Sequence, residues 1–356
     1  MGQWNRVNLE EAVHGGEAEI ADLALFDLDL SRADLKGGVF NQVAFTGINF
    51  TGADLREVVF ISCKFDACCF SESQLNHSSW IDAQGGELLF VGADLTSSSF
   101  INARFSSVDF SRAKLMDSNW IEPEISDLKC TETALVKATF IDGVMANSRW
   151  SNAVLDSSQF IDMKLSGLRL VQCELQQLMF MNSHLPGVDF TTNQVDSCYF
   201  HNSNVDEADF SDLNIRVANF MRASMVGVRM ERCTIQIGLF LEAKMVGAVC
   251  DNLHAEQTVW QQSSLEQCSL QNAVLNQTNF AKALLHHCQL NGAQLAYADF
   301  SHATIVDSDL RHTTLDRANF HQLLESGNDW RGSNRSSALG TDEPLLRAEQ
   351  FKPKRG

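Results

Sequence analysis

Large apolar residues recur at every fifth position of this chain. From Ile20 to Phe320 each fifth residue is a large apolar side chain or a cysteine, and no residue is inserted or deleted. Gly85 and Ala255 are the exceptions among these 61 positions, which we call centres. A period of five is neither the 3.6 of a helix nor the 2 of a plain strand. The chain is therefore predicted to bend at regular intervals and to point one large side chain inward in every five residues.

A second period of twenty residues sets the number of centres in one coil. The centres from Phe40 to Phe320, taken twenty apart, are all Phe or Trp, whereas the series from Leu35 to Leu315 contains no aromatic residue. Four pentapeptides per coil predict a four-sided solenoid with coils about 4.8 Å apart, the spacing of hydrogen-bonded strands. About fifteen such coils would be filled by stacked side chains, which leaves little room for a cofactor.

Small side chains precede many centres by two residues and complete the repeat. Units of the form A(D/N)LXX occur at 33–37, 53–57 and 93–97, and a variant with Phe210 occurs at 208–212. The sequence resembles the bacterial pentapeptide-repeat family over about 85% of its length. This resemblance implies an all-β fold, the right-handed quadrilateral β-helix. We expect it to cover residues 20–320, with an N-terminal cap at 1–19 and a C-terminal loop and capping helix at 321–356.

The pattern is interrupted at two places, and the cysteines and histidines do not form a recognisable reactive site. Gly85-Gly86 and Pro123 depart from the repeat, so we expect a local bulge there. Nine of the ten cysteines occupy a centre or the small position before one, with Cys69 as the exception, and are expected to be buried and unpaired. The ten histidines do not stack on one another in neighbouring coils and are expected to be solvated. We predict no enzyme, no metal ion and no cofactor.

The charge of the chain favours a protein partner. Its net charge of −18 works against direct binding to nucleic acids or anionic lipids. No apolar run approaches the length of a membrane span, and the first residues lack the apolar core of a signal peptide. We expect a cytoplasmic protein, with export by a signal-independent route left open.

One outward column of the repeat is apolar although the others are mainly polar. It consists of residues that directly follow aromatic centres, and we call it the apolar stripe: Ile61, Ile81, Ile101, Ile121, Ile141, Ile161, Met181, Met221 and Leu241. The next column supplies an acidic rim, defined by Asp82, Glu122, Asp142 and Asp162. Soluble monomers rarely expose so long an apolar patch, which predicts a partner or self-association surface. The alternative is that β-branched residues simply stabilise the strand ladder.

The C-terminal residues read as a loop followed by a short helix. Thr341 would be its N-cap. Leu345, Leu346 and Phe351 would lie either against the last coil, as a cap, or against a second subunit, as homodimer contacts.

The resemblance implies two functions, and a third is left open. The first is a rigid scaffold or adaptor, because the long repeat and the tail at 340–343 are similar to bacterial pentapeptide-repeat proteins encoded alongside type VI secretion components; secretion-system proteins would then be partners. The second is a DNA mimic, because acidic members resembling the quinolone-resistance proteins bind DNA gyrase and topoisomerase IV. The third is a secreted effector that binds a host protein.

Charge density bears on the DNA-mimic alternative. Residues 1–19 carry −3 and residues 321–356 carry +1, which leaves −16 on the coils. Spread over roughly 72 Å, this is one net charge per about 4.5 Å, against one per about 1.7 Å in duplex DNA. The chain would be a dilute mimic, so the scaffold is preferred.

Overall fold

Short parallel strands that recur every twenty residues build the molecule. A computed structural model describes residues 4–15 and 19–351, and the chain divides into two compact units, 1–188 with 192–198 and 189–191 with 199–356. The predicted all-β parallel solenoid of about fifteen coils is confirmed. The limits 1–19, 20–320 and 321–356 stay a prediction, and residues 1–3, 16–18 and 352–356 lie outside the described residues.

The first unit contains three parallel sheets, with strands numbered in chain order. One carries the aromatic centres and pairs β1 (Ile20–Ala21), β3 (Val39–Asn41), β5 (Val59–Ile61), β7 (Ser79–Ile81), β9 (Ser99–Ile101), β11 (Asn119–Ile121), β14 (Thr139–Ile141), β18 (Gln159–Ile161) and β21 (Leu178–Met181). The next pairs β2 (Ala24–Phe26), β4 (Ala44–Thr46), β6 (Lys64–Asp66), β8 (Gln84–Leu89), β10 (Arg104–Asp109), β12 (Glu124–Thr131), β16 (Arg149–Ser151) and β19 (Arg169–Val171), with β15 (Val144–Ala146) also on β12. The last pairs β13 (Ala134–Val136), β17 (Val154–Asp156), β20 (Glu174–Gln176) and β22 (Gln194–Val195).

The second unit contains further parallel strands of three to six residues. Strand β23 (Ser197–Tyr199) contains the residues where the sequence passes from one unit to the other. After it, β24 (Asn214–Asn219) pairs with β25 (Thr234–Leu239). A further sheet pairs β26 (Lys244–Val246), β27 (Ser264–Glu266), β28 (Leu284–His286), β29 (Thr304–Val306) and β30 (Leu324–Ser326).

The corner two residues after each centre produces the period of five. The residue at this corner has a positive φ, between 49° and 74°, at nearly every repeat of both units. The next N–H closes the turn, as where the N–H of Ala113 donates to the carbonyl of Phe110 at 3.0 Å. Val217 and Ile237 are corner residues that do not take a positive φ. These two corners, which lie within strands β24 and β25, keep an ordinary φ because β-branched residues tolerate the left-handed region poorly.

The interior is a stack of aromatic and aliphatic side chains, as the twenty-residue period predicts. In the first unit Phe100 stacks on Trp120 with ring centroids 3.7 Å apart, and Phe140 stacks on Phe160 at 4.8 Å. Nine of the ten cysteines are buried, Cys69 is half-buried, and all ten are unpaired. The structural role predicted for the cysteines is confirmed.

The bulge predicted at Gly85-Gly86 and Pro123 is wrong, because the strand register continues through both places. Gly85 pairs with the neighbouring centres Phe65 and Phe105. Pro123 occupies the small position before a centre, and a Cβ on Gly143 in the next coil would clash with its ring. Glycine at 143 therefore provides the space for the proline ring.

A helix covers the N-terminal coil. α1 (Arg6–His14) begins at the N-cap Asn5 and buries Leu9 fully. Arg6 donates hydrogen bonds to two carbonyls of that coil, at 3.0 and 2.8 Å, and Glu10 accepts one from the N–H of Asp34 at 3.0 Å. These contacts match the predicted N-terminal cap in position.

The C-terminal end is covered by a loop. Trp330 lies 6.0 Å from Phe320, the last aromatic centre, and the guanidinium of Arg335 lies over both rings. Arg335 also forms an ion pair with Glu325, which occupies the inward position of β30. A cation–π contact paired with a carboxylate is a polar ending for an apolar column.

The C-terminal helix α2 (Glu343–Gln350) differs from its prediction. Its N-cap is Asp342, which accepts from the N–H of Leu345 at 2.9 Å, whereas Thr341 accepts from the N–H of Gln322. Leu345 and Phe351 are 46% and 74% exposed, and Leu346 is half-buried. Their role as cap or homodimer contacts stays a prediction.

Candidate protein interface

The apolar stripe of the first unit is a continuous ladder. Its seven members from Ile61 to Met181 end strands β5 to β21, and each pairs in register with the next, twenty residues on. Each directly follows a buried aromatic centre on the same short strand, which fixes its side chain on the outer face. The core and the stripe therefore share one spacing.

The stripe residues are partly open to solvent. Ile101 and Ile121 are the most exposed, at 36% and 39%, and the other members of the first unit are half-buried. Met221 and Leu241, predicted to extend the stripe, are half-buried residues of the second unit. The residues before the aromatic centres, such as Ser99 and Thr139, border the stripe with small polar groups.

The acidic rim occupies the corners beside the stripe. Asp82, Glu122, Asp142 and Asp162 have φ values between 51° and 54°. The N–H of Asp142 donates to the carbonyl of Ile161 at 2.9 Å, so the corner is held by its backbone and the carboxylate is left free to face outward. Asp82 accepts from Asn102 at 2.6 Å. Among the described residues, the side chains of Asp142 and Asp162 have neither an ion pair nor a hydrogen bond.

An open depression on the neighbouring face was not foreseen. It encloses about 410 Å³ beside Gly85, and its lining includes Phe105, Ile125, Ser106 and Ser126. Arg104 and Glu124 form its charged wall and pair at 3.3 Å. The sequence signal for this depression is the glycine at a centre, Gly85, from which we predicted a local bulge instead.

Helix α2 is attached to the second unit by a polar cluster. Glu349 accepts hydrogen bonds at 3.1 Å from Nε2 of His302, at 3.2 Å from Nε2 of His321 and at 2.7 Å from Nε2 of Gln322. The N–H of Asp342 donates to Nδ1 of His321 at 3.0 Å. We call these five residues the helix latch. His321 is 2% exposed, so the expectation that every histidine is solvated is wrong.

The latch also contains a set of potential metal ligands. The ligand atoms of His302, His321 and Glu349 lie within 4.8 Å of one another. In a neutral imidazole whose Nδ1 accepts from Asp342, the proton is on Nε2, which then donates to Glu349. Coordination through that Nε2 would move the proton to Nδ1, against the N–H of Asp342. The geometry therefore favours a hydrogen-bonded latch over a metal centre.

The latch also changes the acidity of its carboxylate. The hydrogen bond with His321, followed by those with His302 and Gln322, lowers the pKa of Glu349 below its ordinary value although partial burial opposes this. Glu349 is therefore a stable anionic acceptor. No sequence pattern signals this contact, because residues 28 positions apart are joined only when α2 folds back on the coils.

The chain belongs to the pentapeptide-repeat family. Models of "Pentapeptide repeats (8 copies)" match residues 29–66, 45–79, 89–119, 261–295 and 293–323. A model of the "Pentapeptide repeat region" matches residues 138–210. A search of curated proteins finds no match.

Several solved structures match the chain at low sequence identity. One is full-length QnrB1, a plasmid-mediated fluoroquinolone resistance protein: identity is 15%, coverage 56% of this chain and 93% of that chain, and the TM-score 0.33. Another is HetL, a pentapeptide repeat protein involved in heterocyst differentiation regulation from the cyanobacterium Nostoc sp. strain PCC 7120, with 15% identity, 95% and 98% coverage and a TM-score of 0.15. The periplasmic alginate epimerase AlgG matches at 9% identity, with 86% and 78% coverage and a TM-score of 0.28. In the described part of the chain, neither helix is long and apolar enough to cross a membrane.

Proposed function

We propose that this protein is a non-enzymatic scaffold that binds a protein partner through the apolar stripe and acidic rim of its first unit. The observation that carries the proposal is the in-register ladder from Ile61 to Met181, whose middle members Ile101 and Ile121 are the most exposed. Burial of partly exposed isoleucines by a partner would release about 25 cal/mol for each Å² of apolar surface removed from water.

The second unit weakens the alternative that isoleucine is needed for folding at these positions. Gln261, Ala281 and Ser301 directly follow the aromatic centres Trp260, Phe280 and Phe300, as the stripe isoleucines follow theirs. The coils at these positions keep the same parallel register. A β-branched residue is therefore not required for the coil register, which supports a role for the isoleucine run beyond the ladder. The second-unit positions adjoin isolated bridges, whereas the stripe residues end strands of three or four residues.

The acidic rim supports a basic partner. Asp142 and Asp162 occupy equivalent corners of adjacent coils, and neither is neutralised by a basic side chain of the described chain. Like charges at neighbouring ladder positions destabilise the fold slightly. A partner that brings Lys or Arg to this edge would offset that repulsion and gain electrostatic complementarity.

The finer hypotheses concern which partner is bound. The hypothesis of a type VI secretion adaptor is supported by the resemblance of the C-terminal tail alone. No particular residue supports the hypothesis of a secreted effector. The DNA mimic is less favoured because several carboxylates are already paired with basic residues, as in Asp54–Arg56, Asp109–Lys129 and Asp212–Arg232. These pairs reduce the negative charge that a DNA-binding enzyme would meet.

The test is a comparison of partner capture by three forms of the full chain. The Ile101→Asp, Ile121→Asp variant places charge on the stripe, and the Met116→Asp, Val171→Asp variant places the same charge on other faces at residues of similar exposure. Circular dichroism checks that each form is folded. We expect the wild type and the control variant to capture the same proteins, and the stripe variant to lose them.

Two outcomes would overturn the proposal. If the stripe variant retains the same proteins as the wild type, the stripe is not the binding surface. If all three forms retain gyrase or topoisomerase IV subunits, the acidic faces carry the function and the chain acts as a DNA mimic.

A further inference from the structure

We infer that the apolar stripe and acidic rim of the first unit accept a basic amphipathic α-helix of a partner protein. The helix would lie along the direction in which the coils stack, with one turn per coil. This inference rests on the proposed function and adds the chemistry and secondary structure of the partner.

The spacing of the stripe favours a helix over an extended segment. Neighbouring stripe residues are one strand spacing apart, about 4.8 Å, and an α-helix repeats one face about every 5.4 Å. The two spacings drift by only about 2 Å over three turns. An extended segment presents one face about every 6.6–6.8 Å. It would therefore drift by about 2 Å from the stripe at each single step, as much as the helix drifts over three turns. Of these two kinds of segment, the helix is the one that can place an apolar side chain beside successive isoleucines.

The two borders of the stripe set the polarity of the helix. The rim carries carboxylates on one side, whereas residues such as Ser79, Ser99 and Thr139 on the other side are uncharged. Beyond the rim, Lys64, Arg104 and Lys164 stand at equivalent positions of their coils. Arg104 is engaged by Asn102 at 3.2 Å and by Glu124 at 3.3 Å, and the two lysines are exposed. The helix should therefore carry Lys or Arg along one flank of its apolar face and neutral residues along the other.

The chain itself provides a precedent for helix docking at these positions. In the register of twenty, His321 stands at a stripe position, and His302 and Gln322 stand at rim positions. Helix α2 docks on these positions of the second unit, and it does so by presenting the carboxylate of Glu349 as a hydrogen-bond acceptor. These positions of the repeat thus receive a helix whose polar groups complement the local side chains. The groups that complement carboxylates are basic donors.

A second copy of the chain is a poorer occupant. A two-fold axis perpendicular to the stripe would bring the rim of one copy onto the rim of the other, with Asp142 and Asp162 near the same carboxylates of the partner. An axis parallel to the stripe would instead place each rim against the uncharged border of the other copy, where no basic group complements it. The net charge of −18 adds a general repulsion.

The experiment uses three synthetic peptides of about twenty residues, the length that spans six coil spacings at 1.5 Å per residue. The first has Leu once per turn and Lys along one flank. The second replaces each Lys by Glu. The third has the composition of the first in an alternating order that favours an extended strand. Fluorescence anisotropy measures their binding to the full chain, and circular dichroism measures helix formation.

We expect only the first peptide to bind and to become helical. Its affinity should fall at least about tenfold for the Ile101→Asp, Ile121→Asp variant and about three- to tenfold for Asp142→Asn, Asp162→Asn. Asn tolerates the left-handed corner, so the second change tests charge rather than folding. The Met116→Asp, Val171→Asp control should bind like the wild type.

Other results overturn the inference and separate it from the proposed function. Equal binding of the first and third peptides, or unchanged binding to the stripe variant, rejects the helical partner. The helical partner is also rejected if sedimentation velocity detects a dimer of the wild type that is absent in the stripe variant, because the stripe is then occupied by a second copy. If partner capture depends on the stripe but none of the peptides binds, the helical partner is rejected and the scaffold function remains. If neither partner capture nor peptide binding changes in the stripe variant, the scaffold function itself is rejected.

Discussion

Truncation of Trp120 should disorder the middle of the stripe from inside. Trp120 is 1% exposed and stacks between Phe100, at 3.7 Å, and Phe140, at 5.6 Å. The ring of Phe110 meets that of Trp120 edge-on, with centroids 5.9 Å apart. Nε1 of Trp120 donates to Oγ of Ser118 at 3.1 Å. The next residue on its strand is Ile121, so the same three-residue strand carries both the core contact and the stripe.

The expected cost of Trp120→Ala is at the upper end of the 3–5 kcal/mol or so that removal of a buried aromatic side chain costs. Two stacked partners and one edge-on partner are lost together, and each such contact contributes about 0.5–1.5 kcal/mol beyond area burial. Trp120 also lines a small enclosed void of about 10 Å³ beside Cys130, so the truncated site begins with imperfect packing.

Trp120→Phe is the matched control. The ring remains between Phe100 and Phe140, and Oγ of Ser118 keeps its hydrogen bond to the carbonyl of Leu115 at 2.9 Å. The loss is then one hydrogen bond and part of the ring, which we estimate at about 1–2 kcal/mol.

Hydrogen exchange with mass spectrometry is the assay, because stability in a solenoid is largely a sum of terms between neighbouring repeats. A local loss of about 4 kcal/mol would speed exchange by roughly a thousandfold in strands β9, β11 and β14. Strands β3 and β5 should change much less. A uniform change across all of these strands, or equal effects of Trp120→Ala and Trp120→Phe, would refute the reasoning.

Three further predictions concern the corner, the latch and the cysteines. Asp142→Ile should destabilise the fold by about 1–2 kcal/mol in chemical denaturation, because a β-branched residue must adopt φ 53°, whereas Asp142→Gly should stay within about 1 kcal/mol of wild type. Glu349→Ala should release α2 and speed tryptic cleavage after Arg347. Because its bond with His321 lowers the pKa of Glu349, docking should be complete above the ordinary carboxyl pKa and should weaken as pH falls through the lowered value; amide hydrogen exchange of α2 that keeps the same protection on this acidification would contradict this. Iodoacetamide should modify Cys69 first in the native protein: burial opposes ionisation, but hydrogen bonds with Ser71 and Thr51 lower its pKa, whereas burial raises the pKa of Cys63 to about 11. Equal labelling of both thiols by peptide mapping would count against the buried register.

Most of the fold could be predicted from the sequence because each residue's role depends on its place in the repeat. The period of five identifies the inward residue, and the period of twenty identifies its neighbours, as Phe140 and Phe160 demonstrate. The corner explains the period physically, since one residue in five adopts a positive φ. Two adjacent corners could also be read in advance, because Val217 and Ile237 are poor residues for that conformation.

The ends of the chain could be predicted less well because the repeat does not reach them. Trp330 and Arg335 cover the last coil, and the sequence contained no signal that a cation would lie over Phe320. The apolar residues of α2 suggested a cap, but the helix is attached through Glu349 instead. Such contacts join residues of unrelated register, so no periodicity encodes them.

Departures from the repeat are therefore the places where this chain carries information beyond its fold. An isoleucine run stands in an outward column, where Gln261 or Ser301 serves equally well for coil formation. A glycine at centre 85 creates a depression, and a buried histidine at 321 holds a helix. The outward isoleucines can be changed without altering the register of the coils, because the register depends on the inward residues and the corners. Substitutions on the stripe should for this reason change partner binding far more than stability, which is the property that an interface has and a ladder-stabilising feature lacks.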